Sequence, residues 1–512
     1  MSGGGWVRPA LCGLLMGLAC FVLTYDLGDR LLWGDEAETA LLAVNITKYG
    51  LPKIDDGKNR ITIYKTMAAS EQGVWIWSPW LDEYVVAGSF LLFGKSTVAA
   101  RMPFALVGLA SVALLGLFAR RVYGSHRVAL AAMLLSATCV PFLLHGRQCR
   151  YYTILMLAQI WLLWGCQRVL EGRRLSGGIQ AALALSMQFY CNYMVLPGNL
   201  LGIGLASLIL HRRHPGLIKT MAAAVAGAFL LSAPWLAFAS TGQQLQGLDW
   251  QGSGERAVFH VSKINDHIFP LALLLIPLLA TLIRMIGKRR PQRAAQPPMA
   301  LLLWLLPASQ IICLSILPFK YFRYITPMIP VILLLGAAIL MTRLKPAWLG
   351  LCLLMIVAFT NIFSVAGAAV FGGNRAPGFP FARYLRSVTS DYTDRFEDVV
   401  TYLLREGSAE QTLVVPDPEF PLIFYTDMRV FDARLRKPPA DPDWIVPVSP
   451  SGVLERPLPL LPHIEELYEK VRLPVHASPR NGSRPDPDHY SYFTVREREE
   501  LVLYRKRPRR RQ

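Results

Sequence analysis

The sequence predicts a mostly α, polytopic helical membrane protein with a small C-terminal α/β soluble domain. Three observations carry this. Charged residues are 17% of the 512-residue chain and apolar residues 53%, with a mean hydropathy of +0.34. That is too little charge for a water-soluble surface of this length. Apolar runs of bilayer length recur along the first three quarters of the chain. The charge is also split: residues 1–371 hold 31 basic and 14 acidic side chains, residues 372–512 hold 22 and 21. The composition excludes a disordered chain, a collagen and an ordinary cytosolic enzyme. A boundary near 372–373 separates a membrane domain, 1–371, from a soluble domain, 372–512, that ends in a basic tail.

The run 10–24 follows a Gly-rich start with Arg8. No small-residue cleavage site precedes Tyr25 and more spans follow, so it reads as an uncleaved first span rather than a signal peptide. Further apolar stretches cover 99–118, 128–144, 153–164, 179–196, 200–210, 221–238, 268–283, 300–317, 325–341 and 348–371. With the first, they predict about eleven transmembrane helices. Residues 89–93 are too short to span. The eight Cys all precede residue 353, with no CxxC pair and no His at metal spacing. They read as small apolar helix residues.

The loops alternate in charge. One set (Arg120, Arg121, Arg127; Arg168, Arg173, Arg174; Arg212, Arg213, Lys219; Arg284, Lys288, Arg289, Arg290, Arg293; Arg343, Lys345) holds 16 basic residues. The intervening short loops after residue 140 hold only Arg147, Arg150, Arg256, Lys263, Lys320 and Arg323. The positive-inside rule places the richer set in the cytoplasm. The long first loop, 25–98, then lies outside, and an odd number of spans puts the C-terminal domain outside too. The basic run Arg505–Arg511 favours the cytoplasmic face, but it lies too far from the last span to govern topology. The expected location is the inner (plasma) membrane, with the active site and C-terminal domain extracytoplasmic.

The C-terminal domain has helix periodicity at 392–406 and short strand patterns at 412–415, 444–446 and 501–504, joined by Pro-rich connectors. It carries no Gly-rich phosphate loop or nucleophile elbow, and it reads as a structural or recognition domain.

Four constellations bear chemistry. Ten of the 14 acids in the membrane domain precede Tyr84, and only Glu171, Asp249, Glu255 and Asp266 follow. Within that early cluster, Trp33-Gly34-Asp35-Glu36-Ala37-Glu38 offers paired carboxylates for base catalysis or cation binding. In the structural alternative, Asp35 is an N-cap and Glu38 completes a capping box before a helix over 39–49. Trp77-Ser78-Pro79-Trp80-Leu81, Phe93-Gly94-Lys95 and Arg101-Met102-Pro103 form a loop, an interfacial aromatic belt and a helix start. Gly146-Arg147-Gln148-Cys149-Arg150-Tyr151-Tyr152 puts two Arg three residues apart in an outer loop otherwise poor in positive charge. Arg holds phosphate oxygens in a two-pronged contact, although pairing with the first-loop acids is the alternative. Lys320-Tyr321-Phe322-Arg323-Tyr324 is a second basic element on the same side. One acidic and two basic patches facing outward suit a lipid phosphate whose reacting end is handled outside the cytoplasm.

The ordered motifs resemble the family 39 glycosyltransferases of the GT-C superfamily, which include protein O-mannosyltransferases and the lipid A aminoarabinose transferase. The resemblance rests on Trp33-Gly34-Asp35-Glu36, Ser78-Pro79-Trp80-Leu81, Phe93-Gly94 followed by Arg101 and Pro103, Arg147 with Arg150 and Tyr152, and Phe322-Arg323-Tyr324 with Pro327. It covers residues 1–371. Members often carry His or Lys ahead of the Pro-Leu or Pro-Trp-Leu motif, where this chain has Trp77-Ser78. The resemblance implies inverting sugar transfer from a polyprenyl-phosphate donor on the outer face, to a lipid, glycan or protein acceptor. It places Asp35 near the acceptor, with Glu36 as the next candidate. It places Arg150 and Arg323 near the donor phosphate, and Arg147, Tyr152, Lys320 and Tyr324 complete the expected phosphate-binding group. Asp35 and the two Arg are expected to converge on one cavity. No DxD pair occurs in the first loop, so no divalent metal or other cofactor is assigned. The expected partners are the donor, an unidentified acceptor and the bilayer, with no nucleic acid. The competing classes are a transporter or flippase of lipid-linked sugars and a lipid-linked glycan ligase. A transporter calls for repeated halves and mid-membrane charge, and neither is visible.

Overall fold

The computed structural model describes residues 7–61, 69–239, 249–275, 297–371, 376–390, 395–416, 420–433, 439–448, 458, 464–476 and 498–508. The expected domain boundary at 372–373, the basic loop residues 284–293 and the tail beyond 508 lie outside them. The chain divides into two compact units, Met1–Tyr25 with Phe104–Val388, and Asp26–Pro103 with Thr389–Gln512. The first loop groups with the C-terminal residues, and residues up to Val388 group with the spans.

The first unit is helical. Among the described residues six helices are long and apolar enough to cross a bilayer, and up to eight if two bent pairs each count once. This is a multi-pass membrane protein. Three of the expected eleven are not separate full-length spans among the described residues, for identifiable reasons. The stretches 179–196 and 200–210 join as one 37-residue segment, Arg174–Leu210. Half of the stretch 268–283 lies outside the described residues. The stretch 300–317 forms Met299–Ser315, a shorter apolar helix.

The two bent pairs have local causes. His126–Thr138 and Val140–Gly146 meet at 64°. Cys139 between them is extended, and Pro141 at the start of the second helix has no N–H to continue the ladder. Ala347–Phe359 and Ile362–Phe371 meet at 81°. Thr360 is extended there, and the Asn361 side chain donates to the Ala376 carbonyl at 3.0 Å while accepting from Gly378 N–H at 2.7 Å.

Small residues bring helices together. A Cβ on Gly165 would stand 2.8 Å from the Ala181 nitrogen, and one on Gly177 would stand 2.7 Å from the Gly165 carbonyl. The backbones of Tyr152–Leu170 and Arg174–Asn192 thus touch directly, the close approach that small residues permit in membranes. A buried amide cluster adds directional contacts. Gln188 donates to Gln159 at 2.9 Å, and Asn199 donates to Gln159 and Gln188 at 2.9 and 2.8 Å.

The second unit joins the first loop to a five-stranded mixed sheet. The strands are β1 (Thr412–Val415), β2 (Arg429–Asp432), β3 (Trp444–Ile445), β4 (Tyr468–His476) and β5 (Arg498–Lys506), in the order β2-β1-β3-β5-β4. β1 runs parallel to β2 and β3, and β5 is antiparallel to β3 and β4. Val414, Ile445, Ile464, Tyr468 and Tyr504 form a buried core. The first loop is fastened to this domain by polar contacts. Asn59 Nδ2 donates to the Met428 carbonyl at 2.9 Å, and Val430 N–H donates to Asn59 Oδ1 at 2.8 Å, both buried. Tyr425 accepts from Leu32 N–H at 2.8 Å and its hydroxyl lies 2.7 Å from Thr97 Oγ1.

Candidate functional site

The acidic motif opens the helix Gly34–Tyr49, which ends at Gly50 in the left-handed region (φ 74°) with its N–H bonded to Ile46 at 2.8 Å. The helix starts earlier than expected. Trp33, not Asp35, is the N-cap, and Glu36, not Glu38, reaches back to accept from Trp33 N–H at 3.3 Å. The reason is long-range. Glu36 is completely buried and takes a two-pronged contact from Arg101, Nε to Oε1 at 2.9 Å and Nη2 to Oε2 at 2.6 Å. Arg101 also donates to the carbonyls of Leu27, Arg30 and Leu31 at 3.1, 2.7 and 3.0 Å. One ion pair therefore fixes the chain entering the helix, and Glu36 is occupied as its anchor. Asp35 sits in the first turn, partly exposed, where the helix dipole favours the ionised carboxylate.

The basic elements lie in the first unit. Arg150 stands just before the helix Tyr152–Leu170, and Arg323 lies in a 3-10 turn, Phe322–Met328, that leads into Ile329–Arg343. Both are partly buried. The Arg150 guanidinium lies 5.3 Å from the Tyr151 ring centroid, and that of Arg323 lies 4.6 and 5.8 Å from the rings of Tyr321 and Tyr324. Both Arg stand close enough to Tyr151 to act on it electrostatically. Burial pushes its phenol up and neighbouring Tyr152 adds to this, while Arg323 and Arg150 both act in the opposite direction. Tyr324 in turn has Arg323, Tyr321 and Tyr152 as neighbours. Arg150, Tyr152, Arg323 and Tyr324 are thus brought together, across some 170 residues of sequence.

Aromatic side chains hold this cluster. Tyr152 packs 4.8 Å from Tyr151 and 4.5 Å from His145, and His145 stacks on Phe322 at 5.8 Å. His267 meets Phe322 edge-on at 5.5 Å, and Asn192 donates to the Tyr151 hydroxyl at 3.1 Å. The sequence motifs did not single out His145, Asn192 or His267. Their sequence signal is weak: His145 ends an apolar run, Asn192 interrupts one and His267 precedes one.

The other two basic residues have different surroundings. Arg147 Nη1 donates to the carbonyls of Val22 and Tyr25 at 3.3 and 2.6 Å, closing the end of the helix Val7–Thr24. Lys320 is exposed and ion-paired with Glu255, whose carboxyl it holds below the usual range. Beside them Arg256 binds Asp249 at 2.7 Å and the Ser315 carbonyl at 2.7 Å. Burial first, and Arg256 second, lower the imidazole of fully buried His260 to about 4. Among the described residues no group of three or more His, Cys, Asp or Glu is arranged to hold a metal ion.

Residues 78–238 match the family model for dolichyl-phosphate-mannose-protein mannosyltransferases. The fold is similar to that of ArnT from Cupriavidus metallidurans. The undecaprenyl-phosphate-bound and apo structures each align with a TM-score of 0.54 at 17% identity, over 84% of this chain and 86% of that one. The archaeal oligosaccharyltransferase AglB from Archaeoglobus fulgidus aligns at a TM-score of 0.45 and 10% identity, over 84% of this chain and 65% of that one. No curated protein matches by sequence.

Proposed function

Starting from a membrane chain with the GT-C fold seen in ArnT, we propose that it is an inverting glycosyltransferase. It moves a hexosyl or pentosyl group from a polyprenyl-phosphate donor to a lipid, glycan or protein acceptor on the extracytoplasmic face. The observation that carries this reading is that Arg150 and Arg323 both act electrostatically on Tyr151, Arg150 from 5.3 Å and Arg323 from beside Tyr321 and Tyr324. Two guanidinium groups among mostly buried aromatic rings suit a lipid phosphate better than a solvated anion. The family match over residues 78–238 supports the same donor class.

The chemistry is a single displacement. The acceptor hydroxyl oxygen bonds to the anomeric carbon as the bond from that carbon to the phosphate oxygen breaks, which inverts the centre. The hydroxyl proton passes to the Asp35 carboxylate, and polyprenyl phosphate leaves with the electron pair. Arg150 and Arg323 stabilise the charge growing on that phosphate, commonly the largest catalytic contribution. Tyr152 and Tyr324 line the same cluster. The two-pronged contact with Arg101 suits Glu36 to positioning Asp35, not to proton transfer. Arg147 orders the loop that carries Arg150, and Lys320 is held by Glu255.

The test is reconstitution of the full chain into vesicles with a cell-envelope lipid extract, followed by mass spectrometry. Sugar-loaded acceptor together with free polyprenyl phosphate supports the reading. Movement of intact lipid-linked sugar between leaflets without either product contradicts it and favours a flippase.

A further inference from the structure

A second feature lies one broken span away from the basic-aromatic cluster. Arg127 stands at the beginning of the bent pair His126–Thr138 and Val140–Gly146, and the loop with Arg150 follows its end. Beside Arg127 is a cavity of about 440 Å³, lined by Leu11, Leu15, Leu134, Trp348 and Leu351 among others, with Arg127 as its charged group. The volume is within the range of roughly 300–1,000 Å³ that ligand sites occupy. The lining is open on one side, with Trp348 65% and Leu351 54% exposed.

The rim is basic. Arg8 and Arg120 are electrostatic neighbours of His126, and Arg343 is one of Tyr123. Acids are scarce here. Of the four between residues 84 and 371, Glu171 is taken by Arg121, and Asp249, Glu255 and Asp266 belong to the segment 249–267. Positive charge beside an apolar trough between membrane helices is complementary to an acidic headgroup above an acyl chain. Trp348 has the amphipathic ring that settles at headgroup depth.

We infer that this groove, between the helices Val7–Thr24, His126–Thr138 and Ala347–Phe359, binds an anionic phospholipid, with its phosphate on Arg127 and an acyl chain along the leucines. The site is separate from the Arg150 and Arg323 cluster and stands whether or not the transfer reaction does.

Trp348 supplies the probe. The full chain and its Trp348→Phe variant are placed in phosphatidylcholine vesicles containing either brominated phosphatidylglycerol or brominated phosphatidylcholine. The difference in their fluorescence isolates Trp348. We expect half-maximal quenching at a mole fraction about fivefold lower for the anionic lipid, the contribution of one arginine near a membrane surface. Arg127→Gln should remove that preference and Arg127→Lys should keep most of it. Equal quenching by both lipids overturns the proposal, as does a preference that persists in Arg127→Gln. Stronger relief of quenching by unlabelled polyprenyl phosphate than by unlabelled phosphatidylglycerol overturns it too, by giving the groove to an isoprenoid lipid.

Discussion

Arg101 grips Glu36 with both prongs of its guanidinium, at 2.9 and 2.6 Å, in a pair whose carboxylate is completely buried. The two residues lie 65 positions apart. The pair sets the start of the helix that carries Asp35. Removing one partner strands the other charge, and Arg101→Ala also abandons three carbonyls. Arg101→Ala should therefore lower stability by about 3–5 kcal/mol, measured by thermal unfolding in detergent. A change near zero would show that the pair is not formed.

The contact between Gly165 and Gly177 leaves no room for a side chain. Gly165→Val should break the packing of Tyr152–Leu170 on Arg174–Asn192 and give aggregated protein on size exclusion. Gly13→Ala is the control, since a Cβ there meets nothing within 4 Å. Equal, monodisperse yields of both variants would contradict the close approach.

His260 makes stability depend on pH. Its imidazole titrates near 4 in the folded chain, against 6.5 for an unperturbed histidine. Between these values the unfolded chain binds more protons, so stability is full above pH 6.5 and falls as pH drops toward 4. The loss should reach a few kcal/mol. His260→Gln should flatten the dependence between pH 6.5 and 4, read from unfolding midpoints. An unchanged slope would assign it to other groups.

Arg150 and Arg323 should not tolerate lysine. Lysine keeps the charge but presents a point ammonium rather than a planar fork. Arg150→Lys and Arg323→Lys should each weaken polyprenyl-phosphate binding by about tenfold or more, equivalent to ~1.4 kcal/mol, with unchanged unfolding midpoints. Lys320→Ala, which removes an exposed pair, should leave stability unaltered.

Much of this was legible in the sequence, because bilayer-length apolar runs and period-2 strand patterns are local signals. The helix expected from 392 is observed as Arg395–Glu406, and strands form at 412–415, 444–445 and within 498–506. β2 and β4 were not anticipated: Arg429-Val430-Phe431-Asp432 has only two apolar residues between opposite charges, and β4 gains its identity by pairing with β5. The merging of 179–196 with 200–210 was hidden because Asn199, polar in sequence, is satisfied by Gln159 and Gln188 inside the helix bundle. The basic motifs could be named from sequence, but not their partners. Nothing local to Arg147 signals that the Val22 and Tyr25 carbonyls hold it, and nothing in the first loop signals that Asn59 fastens it to β2.

The central claim is sugar transfer from a lipid phosphate with Asp35 as the base. The most direct measurement is the rate of polyprenyl-phosphate release and acceptor glycosylation by purified, folded Asp35→Asn protein in vesicles. This substitution removes the proton acceptor with little change of shape. The account predicts a loss of at least about 10²-fold, the lower range for a positioned base, with donor binding intact. Full transfer by folded Asp35→Asn protein would contradict it.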